Sequence, residues 1–269
     1  MSITRDAEIL LIEGPDAVAF AHAQFSSKVT GLAVGRWAFG AWLDPQGRVR
    51  ALFHLARIAE EKLLLLLRGG TAADMADGLR RFVFRSRVTL HAASPAALAT
   101  GEAQALHDVR IEGETISLGC GEHALRIVPS TQSGDAAWRK MQLKLGWPWL
   151  PEEALDKWVA PMLSLQRLQA VAVDKGCYPG QEIVARLHFR GGCKRHLCHL
   201  TLSRAIAPGL ALRVAGQDAG MVLDVVDGDT VEALAVLNDD ITSGASDGSL
   251  SLDHDEGPLS AVVDERWPA

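Results

Sequence analysis

Apolar and polar positions occur in blocks along the chain, and these blocks predict a mixture of strands and helices. The first block, "EILLIEG" followed by "PDAVAFAHAQFSS", predicts a strand and then a helix that begins near Pro15. Residues 35–68 hold three apolar or alternating runs, separated by residues 44–47 ("DPQG") and by residues 60–61 ("EE"). This spacing predicts a meander of three antiparallel strands.

Two more helices are predicted before residue 150. The first begins after Thr71, a residue type that caps helices, and its apolar side chains recur at helical spacing. The predicted apolar face consists of Met75, Leu79, Phe82 and Val83. The second helix covers residues 135–146, "DAAWRKMQLKLG", and stops at a glycine. "RVTLHAA" and residues 106–128 predict short strands.

The pattern changes after residue 190. Short apolar runs such as "HLCHLTL", "AGMVLDVV" and "TVEALAVL" follow one another, separated by Gly, Pro and Asp. Such a series is typical of a small β-barrel or sandwich. The sequence therefore predicts an α+β fold, with an α+β body over residues 1–192 and a C-terminal β-barrel over residues 193–269.

Composition narrows the functional classes to which the protein can belong. The chain has 269 residues and a formal net charge of −6, which argues against a general nucleic-acid binder but leaves room for a local basic patch. The apolar run at 62–68 is too short to span a bilayer, and the N-terminus lacks the features of a signal peptide. Four cysteines without a CxxC pair are typical of a reduced compartment. We therefore predict a cytoplasmic protein without nucleic-acid or membrane partners.

One stretch, "DKGCYPGQEIVARLHFRGGCKR" at 174–195, concentrates the candidate chemistry. Its glycines and proline allow backbone to approach a ligand or another segment closely. Cys177 follows Lys175 closely, and a nearby cation favours the reactive thiolate; the alternative is a small buried cysteine in a tight turn. The residues after Glu182 are interpreted as a strand whose cations, including Arg186 and Arg190, either recognise a polyanion or form a solvated face.

Other motifs in the sequence give less evidence about function. Cys193, His196, Cys198 and His199 fall on opposite faces of the predicted strand, so no metal site is predicted there. The chain has no GxGxxG, Walker-type, HExxH or GxSxG motif.

The run "KGCYPGQE", followed by "VARLHFRG" and "KR", resembles the signature of the YgfZ family of folate-binding proteins. That family is related to the glycine-cleavage aminomethyltransferase. The earlier segments "IEGPDAVAFAHAQFSSKV", "DPQGRV" and "LRRFVFRSRV" are similar to landmarks of the same family, in the same order. The resemblance thus covers most of the chain.

The resemblance implies ferredoxin-like units and a C-terminal β-barrel packed around a channel that accepts a tetrahydrofolate. It also implies an accessory role in the assembly or repair of iron–sulfur clusters, with iron–sulfur enzymes or cluster-assembly proteins as partners. Cys177 corresponds to the functionally sensitive thiol of the family motif. The predicted folate contacts are Lys175, Gly176, Tyr178, Gly180, Gln181, Glu182, Arg186 and Arg190.

Two alternatives stay open at this point. A folate-dependent one-carbon transferase needs an ionisable group at the reactive nitrogens of the folate, and Asp74 or Glu182 would have to supply it. The family often has an asparagine before the motif where this chain offers Ser164, and the stretch "LLLLLRGGTAAD" lacks the asparagine of the true transferases. A redox or sulfur-carrying protein that uses Cys177 alone is the other alternative.

Overall fold

A computed structural model describes residues 6–93, 96–132, 134–243, 248–255 and 257–268. The helices are α1 Ala17–Gln24, α2 Ala72–Arg80, α3 Ala137–Lys144, α4 Gln181–Arg190 and α5 Asp239–Ser243, with single 3-10 turns at Glu152–Ala154 and Ala160–Leu163. The strands are β1 Asp6–Ala7, β2 Ile9–Glu13, β3 Arg36–Leu43, β4 Val49–Ala59, β5 Lys62–Leu67, β6 Thr89–Ala92, β7 Ala96–Gly101, β8 Val109–Glu112, β9 Thr115–Gly119, β10 Ala124–Pro129, β11 Arg195–Leu202, β12 Ala211–Val214, β13 Gln217–Val226, β14 Val231–Asn238, β15 Ser249–Leu252 and β16 Leu259–Arg266.

The strands form three antiparallel sheets. The first has the order β3-β4-β5-β2-β6 and the second the order β1-β7-β10-β9-β8. The third has the order β12-β13-β14-β11-β16-β15 and contains only strands that follow residue 194. The chain is therefore a mixed α/β protein, and the predicted α+β class is confirmed.

The first sheet is buried on both faces, which explains its continuous apolar runs. On β5, Leu64 and Leu66 pack into one core, whereas Leu63, Leu65 and Leu67 pack into another with α1 and α2. A strand that is covered on both sides needs apolar residues at every position and does not alternate. The run "KLLLLL" is thus an internal strand, as the predicted meander requires.

The third sheet curls until its two edge strands, β12 and β15, approach each other. The backbone N–H of Asp253 donates to the carbonyl oxygen of Arg213 at 2.8 Å, and the Asp253 carboxylate accepts from the N–H of Gly216 at 2.7 Å. The interior is filled by apolar side chains such as Leu200, Val222 and Leu250. The sheet is therefore nearly closed, and the predicted barrel is confirmed.

The prediction for α2 was right at its start and wrong at its end. Thr71 Oγ1 accepts a hydrogen bond from the N–H of Asp74 at 3.1 Å, as expected of a cap. Met75 and Leu79 are buried, but the helix ends at Arg80, so Phe82 and Val83 do not continue its apolar face. Phe82 is instead 40% exposed. Apolar spacing alone did not show that the helix stops before these residues.

Candidate functional site

The ammonium group of Lys175 ties the motif to the end of α1. Its Nζ donates to the carbonyl oxygens of His22, Phe25 and Ser27 at 2.5, 2.6 and 2.9 Å. The last carbonyls of a helix have no partner within the helix and favour a cation. Burial lowers the pKa of Lys175 to about 8, so the group is still mainly protonated near neutral pH. Lys175 therefore joins segments that are about 150 residues apart in the chain.

Gly180 brings the motif against the turn at residues 44–47. It has a φ of 80°, and a Cβ atom built on it would lie 2.5 Å from the carbonyl oxygen of Asp44. Gly47, with a φ of 76°, faces Ile183 in the same contact. Left-handed backbone without a Cβ atom is the role for which glycine is suited. The "DPQG" and "YPGQ" segments, separate in sequence, therefore meet backbone to backbone.

Tyr178 and Gln181 hold the loop in its own conformation. Tyr178 Oη donates to the carbonyl oxygen of Ala172 at 2.8 Å, and Gln181 Nε2 donates to the carbonyl oxygen of Lys175 at 3.2 Å. Burial raises the pKa of the Tyr178 hydroxyl to about 12. These two side chains therefore support the loop backbone.

The residues after Gly180 form a helix, and their interpretation as a strand was wrong. Helix α4 buries Val184 and half-buries Ile183 and Leu187, which is apolar spacing of three to four residues. Its exposed face instead carries Glu182, Arg186 and Arg190 at intervals of four residues. These three predicted folate contacts thus share one solvent-facing side of the helix.

A cavity of about 450 Å³ opens beside the motif. Its walls include alanine and valine side chains, and its polar groups come from Ser27, Lys28, Gln166, Gln169, Asp174 and His188. Lys28 Nζ lies 2.6 Å from Asp174 Oδ2 in an exposed ion pair. The hydrogen bond and charge of Lys28 lower the pKa of Asp174, which therefore stays ionised.

The glutamine side of the cavity offers a further acceptor. Gln166 Oε1 is buried and, within the described residues, has no hydrogen-bond partner. Gln169 adopts a left-handed backbone with a φ of 54°, an uncommon conformation for a residue with a side chain. Buried polar atoms are usually paired, so this amide oxygen is an unsatisfied acceptor on a residue that lines the cavity. The cavity combines a carboxylate, an amide oxygen and a cation with apolar walls.

Hydrogen bonds next to the motif join the two walls of the cavity, one formed by the segment around Ser27 and the other by residues 166–174. Ser26 Oγ donates to the carbonyl oxygen of Ala170 at 2.7 Å, and the N–H of Ala172 donates to the carbonyl oxygen of Ser26 at 2.8 Å. Lys175 adds its bond to Ser27. The motif thus fixes the position of the segment that carries Asp174.

None of the predicted folate contacts is among the residues that line this cavity, although two lining residues are their neighbours in the chain. Asp174 precedes Lys175 in the chain, and His188 lies on α4 between Arg186 and Arg190. Sequence reasoning missed Lys28, Gln166 and Gln169. The signal for the glutamines was present, because "SLQRLQAV" directly precedes the motif. Ser164 in the same segment is fully buried.

The four cysteines differ in their environments. Cys177 is exposed and Cys193 is half-buried, whereas Cys120 and Cys198 are buried. Burial raises the pKa values of Cys120 and Cys198 to about 12, which suppresses their thiolates. Cys177 is therefore the most exposed of the four thiols.

The histidines near Cys193 have carboxylate partners. His196 Nδ1 lies 2.6 Å from Asp239 Oδ1, and His199 Nε2 lies 3.2 Å from Glu232 Oε2. In the described ranges no group of three or more His, Cys, Asp or Glu side chains is arranged to hold a metal ion. Among all the residues that the structure describes, no helix is long and apolar enough to cross a membrane.

Asp74, the carboxylate considered for transferase chemistry, serves the start of α2. Its Oδ2 accepts from Thr71 Oγ1 at 2.7 Å, and its side chain lies on a separate cavity beside Trp42 and Arg50. The structure therefore does not bring Asp74 to the cavity that adjoins the motif.

The fold agrees with that of a known structure. The glycine cleavage system aminomethyltransferase T from Bartonella henselae superposes with a TM-score of 0.75, covering 98% of this chain and 84% of that one. At 14% sequence identity this likeness establishes the fold alone. The protein therefore has the fold of an aminomethyltransferase.

Sequence relatives indicate which family of proteins the chain resembles. The tRNA-modifying protein YgfZ of Cronobacter sakazakii is 26% identical over 279 aligned positions, with 89% of this chain and 84% of the relative covered. The YgfZ of Sodalis glossinidius is also 26% identical, with 95% and 89% covered. An uncharacterized protein from Haemophilus influenzae is 28% identical over 70% of this chain. No family model matches the chain. These relatives confirm the resemblance to the YgfZ family that the motif predicts.

Proposed function

We propose that this protein binds a tetrahydrofolate and supports the assembly or repair of iron–sulfur clusters in selected enzymes of the cytoplasm. The observation that carries the proposal is the cavity beside the motif, whose lining includes Asp174 and Gln166, the latter with a buried amide oxygen that has no partner among the described residues. Its volume of about 450 Å³ lies in the range of small-molecule sites. The aminomethyltransferase fold and the YgfZ relatives support a folate-related role.

The chemistry of the cavity suits the head of a folate. A pterin ring is flat and carries N–H donors beside a carbonyl oxygen, so it requires acceptors at one edge and apolar contact on its faces. Asp174 and Gln166 supply acceptors, and the valine and alanine walls supply the apolar contact. The glutamate tail is anionic, and Arg186 and Arg190 on the exposed face of α4 are suited to attract it.

The folate proposal predicts a loss of affinity when the Asp174 carboxylate is removed. Asp174→Asn keeps the shape of the side chain but replaces a charged acceptor by an amide, and a hydrogen bond to a charged group contributes about 1.5–3 kcal/mol. We therefore expect tetrahydrofolate to bind about tenfold or more weakly, measured by isothermal titration calorimetry under anaerobic conditions.

Asp218→Asn is the matched control. Asp174 and Asp218 each have a side chain that is 68% exposed and pairs with one cation, but Asp218 lies on β13 and pairs with Arg195. The control should bind like the wild type. Equal affinities for all three proteins, or no saturable binding to the wild type, would contradict the folate site.

The cluster proposal predicts that Cys177 is required in the cell. Cys177→Ala should fail to restore the activity of a [4Fe–4S] enzyme in a strain that lacks its YgfZ-type protein, whereas the wild type restores it. Cys193→Ala, which removes a half-buried thiol, is the control and should rescue. Equal rescue by Cys177→Ala would make the exposed thiol dispensable, and no rescue by the wild type would argue against the cluster role.

Two other functions, tRNA modification and one-carbon transfer, are considered beside this proposal. The relatives' name states tRNA modification, which is compatible with this proposal if one of the dependent enzymes modifies tRNA. A one-carbon transferase would instead turn over an aminomethyl donor and lose that activity in Glu182→Gln. Glu182 is exposed in the first turn of α4, and the absence of turnover with any donor would remove this alternative.

A further inference from the structure

The segment between α2 and β6, residues 80–87 with the sequence "RRFVFRSR", is held in a fixed shape on the first sheet. Backbone N–H groups of Phe82, Val83 and Ser86 donate to the carbonyl oxygens three residues earlier at 2.9, 3.1 and 2.9 Å. At its far end the N–H of Arg87 donates to Asp16 Oδ2 at 2.8 Å. The half-buried Val83 packs against the core beneath. This segment is therefore a structured surface.

Two phenylalanine rings point away from that core. Phe82 is 40% exposed and Phe84 is 88% exposed, on either side of the inward-facing Val83. Each ring has an arginine beside it: Arg81 Cζ lies 4.9 Å from the centroid of Phe82, and Arg85 Cζ lies 5.7 Å from that of Phe84. Phe84, at 88% exposure, contributes almost nothing to packing, and Phe82, at 40%, contributes only in part.

The charge of the segment is only partly compensated. Arg80 pairs with Asp77 on α2, and Arg87 pairs with Asp16 before α1. Over the described residues, Arg81 and Arg85 make no ion pair. The segment has four arginines and no acid in a chain with a net charge of −6. It is thus a local basic patch, the exception that the overall charge allowed.

We propose that residues 80–87 bind single-stranded nucleic acid, with Phe82 and Phe84 stacking on bases and Arg81 and Arg85 contacting phosphates. Unpaired bases present flat apolar faces joined by regularly spaced anions, and exposed aromatic rings between free arginines match both features. This proposal goes beyond the folate function and departs from the expectation, drawn from net charge, of no nucleic-acid partner.

An anionic membrane is the other polyanion with apolar parts, and the patch suits it less well. A single myristoyl chain already gives only marginal membrane binding, and two phenylalanine rings on one short loop bury no more apolar surface. The rigid turns also restrict how deeply the rings can insert. Stacking on a base needs only one face of a ring, and the 88% exposed Phe84 offers more surface than the single arginine over it covers.

The test measures fluorescence anisotropy of a labelled short oligouridylate with the full-length protein. We expect Phe82→Ala with Phe84→Ala to weaken binding about tenfold or more, because base–aromatic stacking contributes about 1–3 kcal/mol per base. We expect Arg81→Gln with Arg85→Gln to weaken binding and to reduce the salt slope by about 1.4, measured between about 50 and 200 mM salt. The oligodeoxyuridylate of the same length separates a ribose contribution from the shared chemistry.

Each variant has a matched control outside the patch. Phe189→Ala removes another exposed ring, 74% exposed on α4, and Arg110→Gln with Arg213→Gln removes two charges from the other sheets. Both controls should bind the oligonucleotide like the wild type. Equal losses in controls and patch variants, no binding by the wild type, or binding to phosphatidylserine vesicles without oligonucleotide binding would overturn the proposal. The patch variants should still bind tetrahydrofolate, so failure of one site is distinguishable from failure of the other.

Discussion

Gly180→Ala is expected to destabilise the protein by about 3 kcal/mol. The φ of 80° costs a residue with a Cβ atom about 1–2 kcal/mol, and overpacking against a rigid backbone costs about 1–3 kcal/mol. The new Cβ atom would lie 2.5 Å from the carbonyl oxygen of Asp44 and 2.8 Å from Gly47 Cα. Neither neighbour is a flexible side chain, so the turn or the motif must shift. Urea unfolding, followed by tryptophan fluorescence, measures the change in the free energy of unfolding.

Two other glycines of the same region separate strain from contact. Gly191→Ala also has a positive φ, 66°, with a ψ of −155° that is essentially restricted to glycine, but its Cβ atom meets nothing within 4 Å, so it should lose strain energy alone. Gly176→Ala has neither problem and should be as stable as the wild type. If Gly180→Ala lost no more than the about 1–2 kcal/mol of left-handed strain, the contact with the 44–47 turn would carry no energy. Folate affinity lost in a stable Gly176→Ala would indicate that ligand passes over Gly176.

The elements that the sequence predicted correctly are those with a strong local pattern. The "DPQG" and "EE" breaks defined the meander of β3, β4 and β5, and Thr71 identified the start of α2. The end of α2 and the helical state of "QEIVARLHFR" depend on what the chain packs against. Val184 is the residue that this helix buries. From the sequence alone, a short apolar run of this kind fits a strand as well as a helix.

The candidate site was predicted only as far as one continuous motif can show it. Cys177 is exposed, as a functional thiol requires, but Tyr178 and Gln181 bond to backbone in their own loop. The cavity itself joins Lys28 to the segment that holds Gln166 and Asp174, and Lys28 and Asp174 are 146 residues apart in the chain and adjacent only in the fold. Residue spacing along one motif contains no information about such long-range neighbours, which are set by the packing of α1 against the segment before the motif.

Lys175→Met is expected to destabilise the protein by about 3 kcal/mol and to weaken tetrahydrofolate binding. The substitution keeps the length and apolar stem of the side chain but leaves the carbonyl oxygens of His22, Phe25 and Ser27 without their shared donor. Hydrogen bonds to a charged donor contribute about 1.5–3 kcal/mol, and unpaired buried acceptors cost about 1–3 kcal/mol each. Because one of these bonds joins the two walls of the cavity, the position of Asp174 should loosen as well. Urea unfolding and calorimetric titration measure the two effects.

Lys28→Met is the control for the effect on stability, because it removes a lysine that lines the cavity without bonding to the end of α1. The Lys28 side chain is 54% exposed and forms one surface ion pair with Asp174, and such pairs contribute about 0–1 kcal/mol to stability. The two lysines should therefore differ clearly in the free energy of unfolding. A Lys175→Met variant that is as stable as the wild type but no longer binds folate would assign the ammonium to the ligand, as the sequence predicted. A loss of stability and affinity together means instead that the motif lysine acts by holding the end of α1 against the segment that carries Asp174.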